Sequence, residues 1–260
     1  MKIKTKKSIN NLILLFALFA LSIITISSIV YLYETKDKIK KFFTENFNFS
    51  NINPYINNED IIWAKKILNG GYILHFRHAE RDKWIDVQMY DALESDLHNN
   101  GKDESRYAEK DYFAKAVCLN ERGKIQAKAI GEHIKNINLP ISYVVSSVSC
   151  RARQTAELAF GGYNDMFRIL VHEGPYNEKN EKRISDLRKF YLSLPYDPQA
   201  NVVVSSHNGV IRKEMFDKKP NTDLGLEEGG FYVISNKNGK LILLYEFHNY
   251  NLFNKVFYKR

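Results

Sequence analysis

Tyr72-Ile73-Leu74-His75-Phe76-Arg77-His78-Ala79-Glu80-Arg81 reads as a short apolar strand that ends in an Arg-His pair. A strand end passes the chain from a rigid sheet to a loop, and α/β proteins place reacting groups there. An arginine is a poor core residue, because its guanidinium keeps its charge. Beside a histidine it is well suited to hold an anionic phosphate against an imidazole nucleophile. Two downstream segments sharpen the reading. One is Ser146-Ser147-Val148-Ser149-Cys150-Arg151-Ala152-Arg153-Gln154-Thr155-Ala156. The other, Val202-Val203-Val204-Ser205-Ser206-His207-Asn208-Gly209, is a valine run that ends in a histidine.

Outward from these segments, strands alternate with helices. Residues 60–69 have helical apolar spacing, and Gly70-Gly71 supplies a stop. Residues 72–76 form the first strand. Asn120 caps a helix to about Ile137, with Ile125, Ala129, Ile130 and Ile134 on one face. A strand over 141–146 follows, then a helix over 151–160 closed by Gly161-Gly162. A short strand is expected over 168–171, a helix over 182–192, a doubly buried strand over 201–205 and a short helix over 210–216. Residues 230–235 and 240–247 read as a hairpin around Asn236-Lys237-Asn238-Gly239. The alternation predicts a three-layer α/β/α sandwich with a mostly parallel central sheet. Residues 82–116 are irregular and charged, and are expected to cross the catalytic edge as a substrate cap.

Four segments together resemble the histidine phosphatase superfamily, the phosphoglycerate-mutase-like fold. Arg77-His78-Ala79 is similar to its Arg-His-Gly motif, with Ala79 in the glycine position. Leu119-Asn120-Glu121-Arg122-Gly123 with Gln126-Ala127 resembles its Leu-x-x-x-Gly-x-x-Gln-Ala helix start. Ser147 to Ala156 resembles its Ser-x-x-x-Arg-Ala-x-x-Thr-Ala segment, and Ser206-His207 its second-histidine strand end. The segments come in the family's order over residues 72–211. The resemblance implies that His78 attacks phosphorus, and that Arg77, Arg151 and His207 bind the phosphate. It also implies a carboxylic acid after the strand that follows the Arg-Ala helix, which makes Glu173 the candidate proton donor. Glu178, Glu80 and His172 are alternatives, and Arg81 and His172 are further candidates for substrate contact.

The chemistry suits these residue types. Phosphoryl transfer asks mainly for positioning and for positive charge around the equatorial oxygens. Arg77 and Arg151 supply guanidinium forks. One nitrogen of His78 attacks while a carbonyl holds the other and sets the tautomer. The adjacent arginines are expected to depress its pKa and keep it neutral. No cofactor or metal is called for, since cationic side chains take the role of a magnesium pair. His75 and His78 would point to opposite faces of a strand, so they make no metal pair, and His75 is expected to be a packed strand residue. Arg153 is open between substrate contact and an ion pair.

The N-terminus differs in character. Lys2, Lys4, Lys6 and Lys7 precede an uncharged apolar run over 12–33, 22 residues long. At ~1.5 Å per residue such a run crosses a bilayer core of ~30 Å. The 1–41 region therefore reads as an uncleaved signal anchor with basic flanks, against the alternative of a cleavable signal peptide. Residues 42–58, Asn-rich and without period, read as a connector, and 59–260 as the catalytic domain. The lysines before the span favour a cytoplasmic amino terminus and a domain outside the cytoplasm, periplasmic or at the cell surface. Region 1–41 carries eight lysines against two acids, +6 of the chain's +8, which leaves +2 for the rest. The basic excess thus suits lipid head groups, and no basic stripe marks a nucleic-acid groove. In an exported domain Cys118 and Cys150 are either a disulfide or two buried thiols.

The leading expectation is a membrane-anchored, metal-independent phosphatase acting through a phosphohistidine. Its substrate would be a phosphorylated small molecule, an envelope sugar phosphate or a phosphoprotein. The rivals are a non-catalytic phospho-ligand-binding domain, to which Ala79 lends some standing, and a phosphomutase.

Overall fold

The computed structural model describes residues 56–82, 117–171, 180–221 and 223–257. They belong to one compact unit, Ile56–Arg260. The expected span over 12–33, most of the connector over 42–58 and nearly all of the cap over 82–116 lie outside the described residues. Among the described residues no helix is long and apolar enough to cross a membrane.

Helix α1 (Asn58–Ile67) starts at a reciprocal cap. The Asn57 side chain accepts from the Asp60 amide at 2.7 Å, and the Asp60 carboxylate accepts from the Asn57 amide at 2.9 Å. Each bond satisfies an amide that the first helical turn leaves without a partner. Strand β1 (Ile73–Arg77) follows, buried except at its last residue. Helix α2 (Glu121–Asn136) is capped by Asn120, whose side chain accepts from the Gly123 amide at 2.8 Å. Its buried positions are Gly123, Ala127, Ile130, His133 and Ile134. Ile125, expected on the inner face, is 68% exposed, because the stripe from 123 to 134 turns position 125 outward.

Strand β2 (Ile141–Ser147) leads into helix α3 (Cys150–Phe160), which ends at Gly161 with φ 77°. Strand β3 is Asp165–Phe167, paired with the end of β2, and residues 168–170 form a 3-10 turn in place of the expected strand over 168–171. Helix α4 is Asn180–Ser193 and strand β4 Asn201–Ser206. The short helix expected over 210–216 reduces to a 3-10 turn, Lys213–Met215. Strands β5 (Phe231–Ser235) and β6 (Ile242–Phe247) form the expected hairpin, and helix α5 (Tyr250–Phe257) closes the unit.

The sheet has the order β3-β2-β4-β1-β5-β6. Pairs β2–β3, β2–β4 and β1–β4 are parallel, whereas β1–β5 and β5–β6 are antiparallel. The sheet is therefore mixed and not mostly parallel. The C-terminal hairpin docks its first strand on β1, and a short hairpin joins strands that run in opposite directions.

Alternation along β1 sends Leu74 and Phe76 to one core, with Ile67 of α1, Ile130 of α2, Ala156 of α3 and Phe253 of α5. Ile73 goes to the other, with Leu187 and Tyr191 of α4. Helices thus cover both faces, as a sheet with two apolar faces requires.

Cys118 and Cys150 form a disulfide across a sequence separation of 32 residues. It ties the segment before α2 to the first turn of α3. Closing a loop of this length restricts the unfolded chain, so the Cys118→Ala/Cys150→Ala double variant should lose about 2–4 kcal/mol of stability. Urea unfolding of the oxidised parent and the variant measures the difference, and coincident curves would contradict it.

Candidate active site

Three parallel strands end at one edge of the sheet. β1 ends in Arg77-His78, β4 in Ser206-His207, and β2 in Ser147, two residues before the cap of α3. Register brings these ends level: Arg77 lies opposite Ser206, and Ser146 opposite Ser205. The His78 amide donates to the Ser206 carbonyl at 2.9 Å, which extends the β1–β4 ladder into the site. The rings of His78 and His207 consequently meet at 5.3 Å, edge to face.

His78 is 4% exposed. Its Nδ1 lies 2.7 Å from the Ala79 carbonyl oxygen. A carbonyl only accepts, so Nδ1 carries the proton and Nε2 keeps its lone pair. Burial holds the His78 pKa well below its ordinary value of 6.5, and the positive charges of Arg151, Arg77 and Arg81 push it the same way. The sequence reading assigned this depression to the arginines alone; desolvation is the larger cause.

Arg151, 1% exposed, sits in the first turn of α3. Its Nη1 donates to the Ser149 hydroxyl at 2.8 Å and faces the Val117 carbonyl at 3.5 Å. The disulfide of the adjacent Cys150 to Cys118 holds that Val117 segment in place. Arg77 donates from Nη1 to the Leu226 carbonyl at 2.5 Å and from Nη2 to Glu228 at 3.4 Å. Its buried Nε–H has no partner among the described residues. Burial lowers the Arg77 pKa, Glu228 opposes that shift, and Arg151 adds to it. His207 places Nε2 3.0 Å from the Ser147 hydroxyl.

The remaining motif residues bind the four segments to one another. The Ala79 amide donates to the Thr155 hydroxyl at 2.9 Å, and that hydroxyl donates to the Arg151 carbonyl at 2.7 Å. The Glu80 amide donates to Gln126 and the Leu119 amide to Gln154, each at 2.9 Å. Gly123 packs on the Glu80 carbonyl, where a Cβ would lie 1.9 Å from the oxygen; only glycine fits. Ala79, in the motif's glycine position, packs its methyl fully buried beside Leu119 and Ala127.

The structure brings Arg77, His78, Arg151 and His207 together, and Arg81 lies within electrostatic range of His78. Arg153 is buried with Nε donating to the Val148 carbonyl at 3.1 Å, which fits a packing role. Glu173, His172 and Glu178 lie outside the described residues. Glu80, the fourth candidate proton donor, pairs with Arg122 and accepts from Asn120 at 3.3 Å. That engagement ties it to the start of α2. Sequence reasoning missed Ser147 as the partner of His207, although it opens the Ser-x-x-x-Arg motif. It also missed Glu228 and the Leu226 carbonyl as the anchors of Arg77. Leu226-Glu227-Glu228-Gly229-Gly230 carries no periodic or spacing signal that would have found them.

The model of the Histidine phosphatase superfamily (branch 1) matches residues 101–174. This match supports the histidine phosphatase superfamily. The matched span holds the Gly123 helix start, the Arg151 segment and Glu173. Arg77, His78 and His207 lie outside it and join the site through the register of β1, β2 and β4. No curated protein matches the chain. Among solved structures, the protein histidine phosphatase SixA complexed with tungstate is 14% identical. That likeness covers 67% of this chain and 95% of that one, with a TM-score of 0.41. A mutant phosphoserine phosphatase from Entamoeba histolytica, in complex with phosphoserine, is also 14% identical, over 67% and 95%, with a TM-score of 0.42. Likeness at that level assigns neither activity nor substrate.

Buried histidines with lowered pKa values, His75, His78 and His133, make stability pH-dependent. Burial lowers the His75 pKa to about 4, and His78 is likewise lowered from 6.5. The unfolded chain takes up protons near 6.5 that the folded state refuses. Their contribution is therefore complete above that pH and is lost as pH falls through the folded values. Each histidine should cost up to ~1.4 kcal/mol per pH unit of descent. Urea unfolding between about pH 7 and pH 5 should show the loss, with a shallower slope in His78→Gln.

Proposed function

We propose that the protein is a phosphatase that hydrolyses a phosphomonoester or phosphoprotein through a phosphohistidine on His78. The observation that carries the reading is the Nδ1–H bond to Ala79, which leaves a neutral Nε2 nucleophile beside Arg77, Arg151 and His207. Nε2 attacks phosphorus, the ester P–O bond breaks, and the leaving oxygen takes a proton from an acid, for which Glu173 is the candidate. Water then attacks the phosphohistidine and gives a proton back to the carboxylate formed in the first step, the P–N bond breaks, Nε2 regains its lone pair, and phosphate leaves. Arg151 and His207 flank the phosphoryl oxygens, and the buried Arg77 Nε–H is a donor that such an oxygen would satisfy. The charge that a metal would otherwise supply comes from guanidinium groups, so the reaction is proposed to need no metal.

The rival reading, a binding domain without turnover, draws on Ala79 and on the open identity of the proton donor. The Ala79 methyl is buried beside Leu119 and Ala127 with the His78 tether in place, which removes the first ground; the turnover assay below decides the second.

Location follows as a second part of the proposal. The apolar run over 12–33 would anchor the chain in a membrane, with the phosphatase on the extracytoplasmic side. The Cys118–Cys150 disulfide supports this, since such bonds persist in oxidising compartments. Protease added to cells whose outer membrane, where they have one, is permeabilised should remove the phosphatase unit; full protection behind an intact inner membrane would place it in the cytoplasm.

Full-length protein in detergent should release phosphate from p-nitrophenyl phosphate, and a chelator should leave the rate unchanged. His78→Ala should lower kcat by roughly a thousandfold or more, since the nucleophile is gone. Arg151→Ala should lower kcat/KM by roughly ten- to a hundredfold, through loss of charge-assisted bonds to the phosphate. Acid-sensitive, base-stable labelling of the parent and none of His78→Ala would identify the intermediate. Equal turnover by His78→Ala would overturn the proposal.

A further inference from the structure

His75 lies one face away from the nucleophile, wholly buried on β1. Its Nδ1 is 2.6 Å from the Tyr191 hydroxyl of α4, and its Nε2 is 3.2 Å from the backbone carbonyl of His207. These contacts leave one consistent proton arrangement. The His207 carbonyl only accepts, so Nε2 carries the proton. Nδ1 then presents a lone pair, and Tyr191 must donate to it. Burial keeps the ring neutral, with its pKa lowered to about 4, so this arrangement holds at neutral pH. Tyr232 of β5 stacks against the ring at 6.0 Å and fixes its plane.

We infer that His75 and Tyr191 are positioning residues: a bonded pair that clamps the His207 backbone from beneath the sheet and so sets the reach of its imidazole toward the substrate phosphate. His207 is the first residue after β4, where ladder pairing has ended. Its ring is held by Ser147 from the side, and its carbonyl by His75. Removing the carbonyl tether frees the backbone at the point from which the ring projects. Misplacement of about an ångström is enough to weaken a charge-stabilising contact substantially.

The inference rests on the phosphate-binding role proposed for His207, and a double-mutant cycle separates the two. Full-length parent, His75→Phe, His207→Ala and His75→Phe/His207→Ala are compared for kcat/KM on p-nitrophenyl phosphate and for Kd of vanadate. His75→Phe should weaken both by roughly five- to thirtyfold, the scale of one buried hydrogen bond and its consequences. In the His207→Ala background it should change either by less than about twofold, because residues acting in one chain are not additive. His75→Gln, whose amide can donate to the same carbonyl, should recover part of the loss. Tyr191→Phe, which keeps the ring and drops only the hydroxyl, should reproduce the His75→Phe direction in a protein that still unfolds cooperatively. Full additivity of His75→Phe and His207→Ala, or parental vanadate binding in a folded Tyr191→Phe, would overturn the inference. Parental vanadate binding by His207→Ala would instead overturn the role of His207.

Discussion

Parallel pairing of β1, β4 and β2 is the constraint on which the site depends. Each of these strands leads its segment to the same edge, and the register fixes which residue arrives there. Ile73 to Arg77 pair one for one with Val202 to Ser206. A slip of one residue would turn Phe76 toward the second core and Arg77 toward the first. The ladder is therefore set by burial on both faces, and the Arg-His ends inherit their position from it. The bond from the His78 amide to the Ser206 carbonyl prolongs the same pairing by one residue. The geometry of the candidate site is the last rung of a structural ladder.

The electrostatic character of the edge follows from what the ladder buries. A neutral imidazole costs little inside a protein compared with a charged one. Sinking His78 to 4% exposure selects the form that has a lone pair, and the neighbouring guanidinium groups reinforce that selection. The same cations give the edge a positive potential. One arrangement thus disfavours a proton on His78 and favours an anion in front of it. Glu228 tempers the effect at Arg77, whose guanidinium it neutralises in part. Arg151 is placed differently, in the buried opening turn of α3, where its charge adds to the positive end of the helix.

Much of this was legible in the chain because short-range chemistry dictates it. Asn120 and Gly123 announce the start of α2, one as a cap and the other as a point of close backbone approach. The valine run of β4 announces a strand buried on both faces, and all six residues are buried. The motif residues Arg77, His78, Arg151 and His207 were readable because they resemble the family's motifs and fall at strand and helix ends. Long-range contacts were not readable. Which strand the hairpin joins is decided by packing of Phe231 against Phe76 at 4.5 Å, and no local pattern records that choice. Glu228 likewise meets Arg77 across 151 residues. Helix α5 went unseen although Tyr250, Phe253 and Phe257 recur at helical spacing and Phe253 is 1% exposed.

His75 shows how a residue that local reasoning set aside acquires meaning from its surroundings. As a strand residue it was expected to be packing alone, and it is wholly buried. An apolar side chain would fill such a site with less desolvation, since a buried imidazole gains only if both nitrogens find partners. Here both do: one in another layer of the sandwich, the other in the loop after β4. The polar pair adds little to stability over an apolar pair of the same shape. What it adds is direction. A dispersion contact tolerates rotation and small slides of its neighbours, whereas a hydrogen bond to the His207 carbonyl fixes one atom of the backbone from which a site residue projects. The pair is best explained by the position it imposes rather than by the energy it contributes.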